Sequence, residues 1–83
     1  MYYVYIIFSA SSDTFYKGYT ANPEKRLWEH NKDLSRYTAS KGPWELVYLK
    51  AFDSKKSALT EEKRLKKLNR KSFERLISEN KND

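Results

Sequence analysis

The sequence predicts a small α+β domain, a three-stranded sheet flanked by helices in the order ββαβαα. Three observations predict it. Residues 2–8 and 14–19 are dense in aromatic and β-branched side chains, and the short polar run Ser9-Ala10-Ser11-Ser12-Asp13 separates them, the pattern of two strands joined by a tight hairpin. A third such run, Trp44-Glu45-Leu46-Val47-Tyr48-Leu49-Lys50-Ala51-Phe52, follows the breaker Lys41-Gly42-Pro43. Between and after these runs, capping residues precede apolar residues at helical spacing.

The first strand alternates Tyr2, Val4, Ile6 and Phe8 on one face with Tyr3, Tyr5 and Ile7 on the other. Both faces are largely apolar, so this strand is expected to be central and covered on both sides. If Phe8 pairs with Asp13 around a four-residue loop, Tyr5 falls opposite Tyr16, and cross-strand partners share a face. Gly18 would then leave space beside two phenols.

Pro23 stands where helices start, with Asn22 as its cap, and the first helix is expected from about Pro23 to Lys32. Its arc of Pro23, Leu27 and Leu34 should face the sheet. Residues 33–43 read as a polar loop. Asp53 or Ser54 caps a second helix reaching roughly Leu68. Asn69 or Ser72 begins a last helix carrying Phe73, Leu76 and Ile77, with about residues 80–83 frayed. Residues 1–83 form a single domain.

A domain this small buries only about 60% of the surface its unfolded chain exposes, so its core must be aromatic-rich, and seven Tyr, four Phe and two Trp supply it. The sequence has no cysteine and one histidine, which excludes disulfides, thiolate metal sites and multi-histidine cages. No run approaches the length of a membrane span and no signal-peptide pattern opens the chain, so a cytoplasmic location is the expectation. The net charge of +6 suits a polyanionic partner, nucleic acid being the commonest.

Several polar residues fall on or beside apolar faces. Arg26 and His30 are four apart on the first helix, at the edge of its buried arc. Either they are a snorkelling cation and a half-buried, hydrogen-bonded imidazole, or they serve a site. Glu62 projects near the middle of the stripe Ala58, Leu59, Leu65 and Leu68, with Glu61 between Leu65 and Leu68. A carboxylate aimed at a core needs a cation. An ion pair with a Lys or an Arg such as Arg26 would satisfy it, and so would a metal. Lys63, Arg64, Lys66, Lys67, Arg70 and Lys71 form a basic run, a solvated helix face or a phosphate-binding one. Arg36, Tyr37 and Thr38 lie in the long loop, within reach of a nucleic-acid backbone.

In order, these residues resemble the GIY-YIG nuclease superfamily. Tyr3-Val4-Tyr5 corresponds to its first motif and Tyr16-Lys17-Gly18 to its second. Glu24-Lys25-Arg26-Leu27-Trp28-Glu29-His30-Asn31 matches the helix signature, and Glu62 the downstream acid. The likeness spans nearly the whole chain. It is nearest in form to the small stand-alone UPF0213-type proteins, which are similar to the N-terminal nuclease module of the bacterial repair excinuclease. Tyr3 stands where the first motif has glycine, and Lys17 where the second has isoleucine.

The resemblance implies hydrolysis of a DNA phosphodiester with one divalent cation, Mg²⁺ or Mn²⁺. Glu62 would be its sole protein ligand, the rest of the shell being water and phosphate. Tyr5 would be the general base, its pKa lowered by the metal and Arg26. Arg26 would grip the scissile phosphate, Tyr16 would position it, and His30 would orient the water or the tyrosines. Gly18 would let the backbone approach, and Lys17, Tyr19, Lys66, Lys67, Arg70 and Lys71 would contact nucleic acid. Phosphate contacts position without specifying, so the expected substrate is a DNA structure or lesion, not a long sequence. The alternative is a nucleic-acid-binding module or repair accessory with weak or no turnover.

Overall fold

The computed structural model describes residues 1–81. Strands β1 (Tyr2–Ser9) and β2 (Thr14–Thr20) are followed by helix α1 (Pro23–Asn31), strand β3 (Glu45–Phe52) and helices α2 (Lys55–Lys67) and α3 (Arg70–Lys81). This is the ββαβαα order, and the sheet is antiparallel with strand order β2-β1-β3. The doubly apolar β1 is the central strand. Of the residues expected to fray, Asn80 and Lys81 lie within α3, and residues 82–83 lie outside the described ones.

The hairpin register differs from the expected one by two residues. Ser9 pairs with Thr14 and Phe8 with Phe15, so Tyr5 faces Gly18 and Ile7 faces Tyr16. Asp13, with φ 51°, belongs to the turn and not to the strand, while fully buried Ser9 extends β1 by bonding the Lys41 carbonyl. An even shift preserves the face on which each side chain stands, so Tyr5 and Tyr16 still share a surface, as diagonal neighbours.

Each side of β1 carries its own core. Val4 and Ile6 pack with Tyr48, Ala58, Leu65, Phe73 and Ile77 beneath α2 and α3. On the other face Tyr5 and Ile7 pack with Trp44, Tyr16, Leu27 and Leu46 beneath α1. A register irregularity at Ile6/Ile7 pairs Ile6 with Tyr48 but Ile7 with Leu46. This bulge at Val47 lets Val47 and Tyr48 both reach the first core while Leu46 turns to the second.

Asn22 caps α1 by accepting from the Lys25 N–H, and Ser54 caps α2 through the Ser57 N–H. Asn69 accepts from the Ser72 N–H at the start of α3. Leu34 is a correction: it is 62% exposed and does not face the sheet. The helix ends at Asn31, and Asp33 adopts φ 59°, so the chain leaves the helical path before Leu34 is reached. The loop that follows is tied back by Trp44, whose indole N–H donates to the Thr38 carbonyl at 3.2 Å and whose backbone N–H donates to Asn31 Oδ1 at 2.6 Å.

Candidate active site

Strand β1 presents Tyr5 across the position where β2 has no side chain. A Cβ on Gly18 would lie 2.7 Å from the Tyr5 hydroxyl oxygen and 2.9 Å from its Cζ. The space beside the tyrosines that glycine was expected to leave is therefore filled by Tyr5 itself. The ring, 3% exposed, folds over the Gly18 backbone. Its hydroxyl meets Nε2 of His30 on α1 at 2.9 Å.

His30 is fully buried, and its other nitrogen, Nδ1, lies 2.6 Å from the Thr38 hydroxyl. Burial, reinforced by the charge of Arg26, pushes the imidazole pKa down to about 4, so the ring is neutral at pH 7 and carries one proton. The Thr38 hydroxyl has a second acceptor in the Ser35 carbonyl, but at 3.5 Å. The contacts admit two arrangements: Thr38 donates to Nδ1 with the ring proton on Nε2, or Nδ1–H donates to Thr38 while the Thr38 hydroxyl donates to the Ser35 carbonyl. In the first, His30 donates to the Tyr5 oxygen; in the second, the Tyr5 phenol donates to Nε2. Thr38 is 1% exposed, so this loop residue holds the histidine instead of meeting a nucleic-acid backbone.

Arg26, one turn before His30, pairs with Glu29 at 3.2 Å and reaches the Ser35 hydroxyl at 3.3 Å. Its guanidinium also acts on the Tyr5 phenol, pulling the pKa down, but burial outweighs it, and with smaller contributions from Tyr16 and Glu62 the phenol is pushed up to about 12. The expected lowering of the Tyr5 pKa is thus not achieved by Arg26 alone. Tyr16 is the hub of the aromatic cluster, with ring centroids 6.4 Å from Tyr5, 5.2 Å from His30 and 5.6 Å from Tyr37.

The two acids of α2 divide. Glu61 turns toward β3, where a two-pronged contact with Arg64 at 2.6 and 2.8 Å, with Tyr48 nearby, holds its carboxyl below the usual carboxylate range. Glu62 lies near enough to Tyr5 for its charge to raise the phenol pKa. Its side chain is 14% exposed and its ion-pair partner is Lys66 Nζ at 3.6 Å, not Arg26. Among the described residues no three Asp, Glu or His side chains gather into a metal cage. One half-buried carboxylate with a single loose, flexible cation beside it fits a hydrated Mg²⁺ or Mn²⁺, which takes one or two carboxylates and keeps its waters.

The remaining predicted residues are spread out. Lys17 and Lys66 line a cleft of about 440 Å³ with Phe15, Tyr16 and Tyr37, wrapped around the outer edge of β2. Lys17 Nζ stands 4.3 Å from the centre of the Phe73 ring, and burial, aided by Lys66, lowers its pKa. Tyr19, cross-strand from Val4, packs against the first core, away from the Tyr5 group. Arg70 is engaged by Asp13 at 2.7 Å and Glu74 at 3.3 Å and lies over Phe15. Lys67 and Lys71 are exposed.

The family model described as the GIY-YIG catalytic domain matches residues 1–76. The chain is 44% identical over 80 residues to a UPF0213 protein of Syntrophus aciditrophicus, covering 94% of this chain and 91% of that one. It is 40% identical over 79 residues to a UPF0213 protein of Natronomonas pharaonis, covering 94% and 92%. The solution NMR structure of a UPF0213 protein from Bacillus halodurans is similar at TM-score 0.60 and 36% identity, over 94% of this chain and 84% of that one.

Proposed function

This chain belongs to the GIY-YIG family, and we propose that it is an endonuclease that hydrolyses DNA phosphodiester bonds with one Mg²⁺ or Mn²⁺ held at Glu62. One observation carries the proposal. A buried phenol, the Tyr5 side chain, is hydrogen-bonded by a neutral histidine, seated on a glycine and acted on by one arginine and one carboxylate. A core tyrosine with no chemical task has no use for that set of neighbours.

In this reading Tyr5, ionised to the phenolate with its own proton released to solvent, accepts a proton from the attacking water as the new P–O bond forms and the leaving P–O bond breaks, and the leaving oxygen takes a proton from water. With the ring proton on Nε2, the tautomer this reading requires, His30 donates to the phenolic oxygen and favours it when it carries negative charge. Arg26, itself partly exposed beside the same phenol, would bind a phosphate oxygen with its planar fork. Tyr16 fixes the lateral position of the Tyr5 and His30 rings. The divalent ion would supply positive charge at the leaving oxygen and near Tyr5. That charge matters, because a phenol at about 12 is almost wholly protonated at pH 7. A site built on phosphate contacts reads no base sequence directly, and the substrate proposed here is a DNA structure or lesion.

The raised Tyr5 pKa also favours a second reading, a nucleic-acid-binding module with little turnover. A nicking assay on supercoiled and branched DNA, with Mg²⁺ or Mn²⁺ against chelator, separates the two. Tyr5→Phe and Glu62→Ala should abolish cleavage while folding and DNA binding survive. A wild-type protein that never cuts, or variants that cut as fast as it does, would sink the endonuclease reading.

A further inference from the structure

We propose that Tyr37 is a stacking platform for an unpaired nucleobase, so that the site takes single-stranded DNA beside the phosphate held near Tyr5. This rests on the reading above only in taking DNA as the ligand.

Tyr37 is 68% exposed. Yet it is not a loose surface residue. Its ring leans on Tyr16 at 5.6 Å and 40°, so it extends the aromatic cluster outward from Tyr5 through Tyr16. The next residue, Thr38, is buried and bonded through its hydroxyl to His30 and through its carbonyl to the Trp44 indole. The backbone that presents the exposed ring is therefore fixed by the same contacts that fix the histidine. A ring held in advance loses little freedom on binding.

The charge around the ring points to a nucleic-acid strand. Lys41 Nζ lies over the Tyr37 ring, 5.0 Å from its centre, a flexible cation that an incoming base displaces toward its own phosphate, and Lys17 and Lys66 share the cleft that Tyr37 and Tyr16 line. An aromatic face flanked by lysines is the arrangement that holds single strands, with bases on the rings and phosphates on the cations. Inside a duplex the faces of a base are covered by its neighbours in the stack, so this platform has no partner there. The cleft of about 440 Å³ also lies within the range of sites that enclose a compact ligand, about 300–1,000 Å³.

The test is fluorescence anisotropy with a labelled oligothymidylate and with a blunt duplex of the same length, in chelator and at one salt concentration. Tyr37→Ala should weaken single-strand binding by about fivefold to a hundredfold, the loss of one base stack, and change duplex binding by less than about twofold on the same reasoning. Tyr37→Phe and Tyr37→Trp should bind single strands as the wild type does, which excludes misfolding as the cause. Quenching of a 2-aminopurine in the strand should vanish in Tyr37→Ala. Equal losses on both DNAs, no loss, or no single-strand binding by the wild type would each overturn the proposal. Because no cleavage is read, the outcomes separate from the nicking assay. Tyr37-dependent binding with no cutting in Mg²⁺ or Mn²⁺ overturns the endonuclease reading alone, and cutting of a duplex without Tyr37-dependent binding overturns this one alone.

Discussion

Replacing Gly18 by alanine tests the central geometry without any assumption about catalysis. In a strand interior alanine is normally favoured over glycine by about 0.5–1 kcal/mol. Here the added Cβ would lie 2.7 Å from the Tyr5 oxygen, 2.9 Å from Cζ and 3.3 Å from Tyr16 Cε2. Carbon–carbon contacts settle at about 3.5–4.0 Å, so the Tyr5 ring must retreat by roughly 0.6 Å, a displacement its 2.9 Å bond to buried His30 resists. Overpacking of this kind costs about 1–3 kcal/mol. The sign therefore reverses, and Gly18→Ala should destabilise by about 1 kcal/mol in urea unfolding, the difference of those two effects. Tyr5→Phe removes the atom nearest the new Cβ, so the same substitution should cost less in that background. The two changes should couple by more than about 0.5 kcal/mol. A Gly18→Ala protein as stable as wild type, or additive with Tyr5→Phe, would refute the claim that glycine is there to seat the phenol.

Two further outcomes follow from His30. Its pKa is about 4 in the fold against 6.5 in the unfolded chain. The unfolded chain thus binds a proton that the folded one refuses between those values, and stability should fall as pH drops from about 6.5 to 4. The loss is on the order of 3 kcal/mol. The difference between wild type and His30→Gln in acid unfolding isolates it, and parallel curves would contradict it. Thr38→Val should leave Nδ1 buried without a partner at a cost of about 1–3 kcal/mol, with Thr38→Ser restoring it. Nitrogen NMR of the imidazole should report the proton on Nε2 in wild type and lose that fixed state in Thr38→Val.

The fold is legible in the sequence because its signals are local. The doubly apolar run from Tyr2 to Phe8 could only be a central strand, and Asn22-Pro23 and Ser54 mark helix starts through their own side chains. What escapes such reading is set by contacts distant in sequence. The hairpin register moves by two because a left-handed Asp13 and a buried Ser9, held by Lys41, decide where pairing stops. Leu34 continues the helical spacing on paper, but the helix has already ended. In the site, Arg26, His30 and Glu62 stand out by their positions against apolar faces. Thr38 carries no such sign, since an eight-residue separation from His30 across an irregular loop has no period to read. At Gly18 the sequence marks the right residue, but the space beside it belongs to Tyr5.

A three-stranded sheet has two free edges, and the bulged, central-strand architecture makes them unequal. The outer rim of β2 borders the cleft of Tyr16, Lys17, Tyr37 and Lys66. A fourth strand added there, from another copy or another protein, would crowd the mouth of the site. The rim of β3, where Glu45, Leu49, Lys50 and Ala51 are exposed, lies on the opposite side of β1. Backbone pairing by strand addition can therefore enlarge this domain only through β3 if the phenol is to stay reachable. One edge of the sheet is left for assembly and the other must stay open.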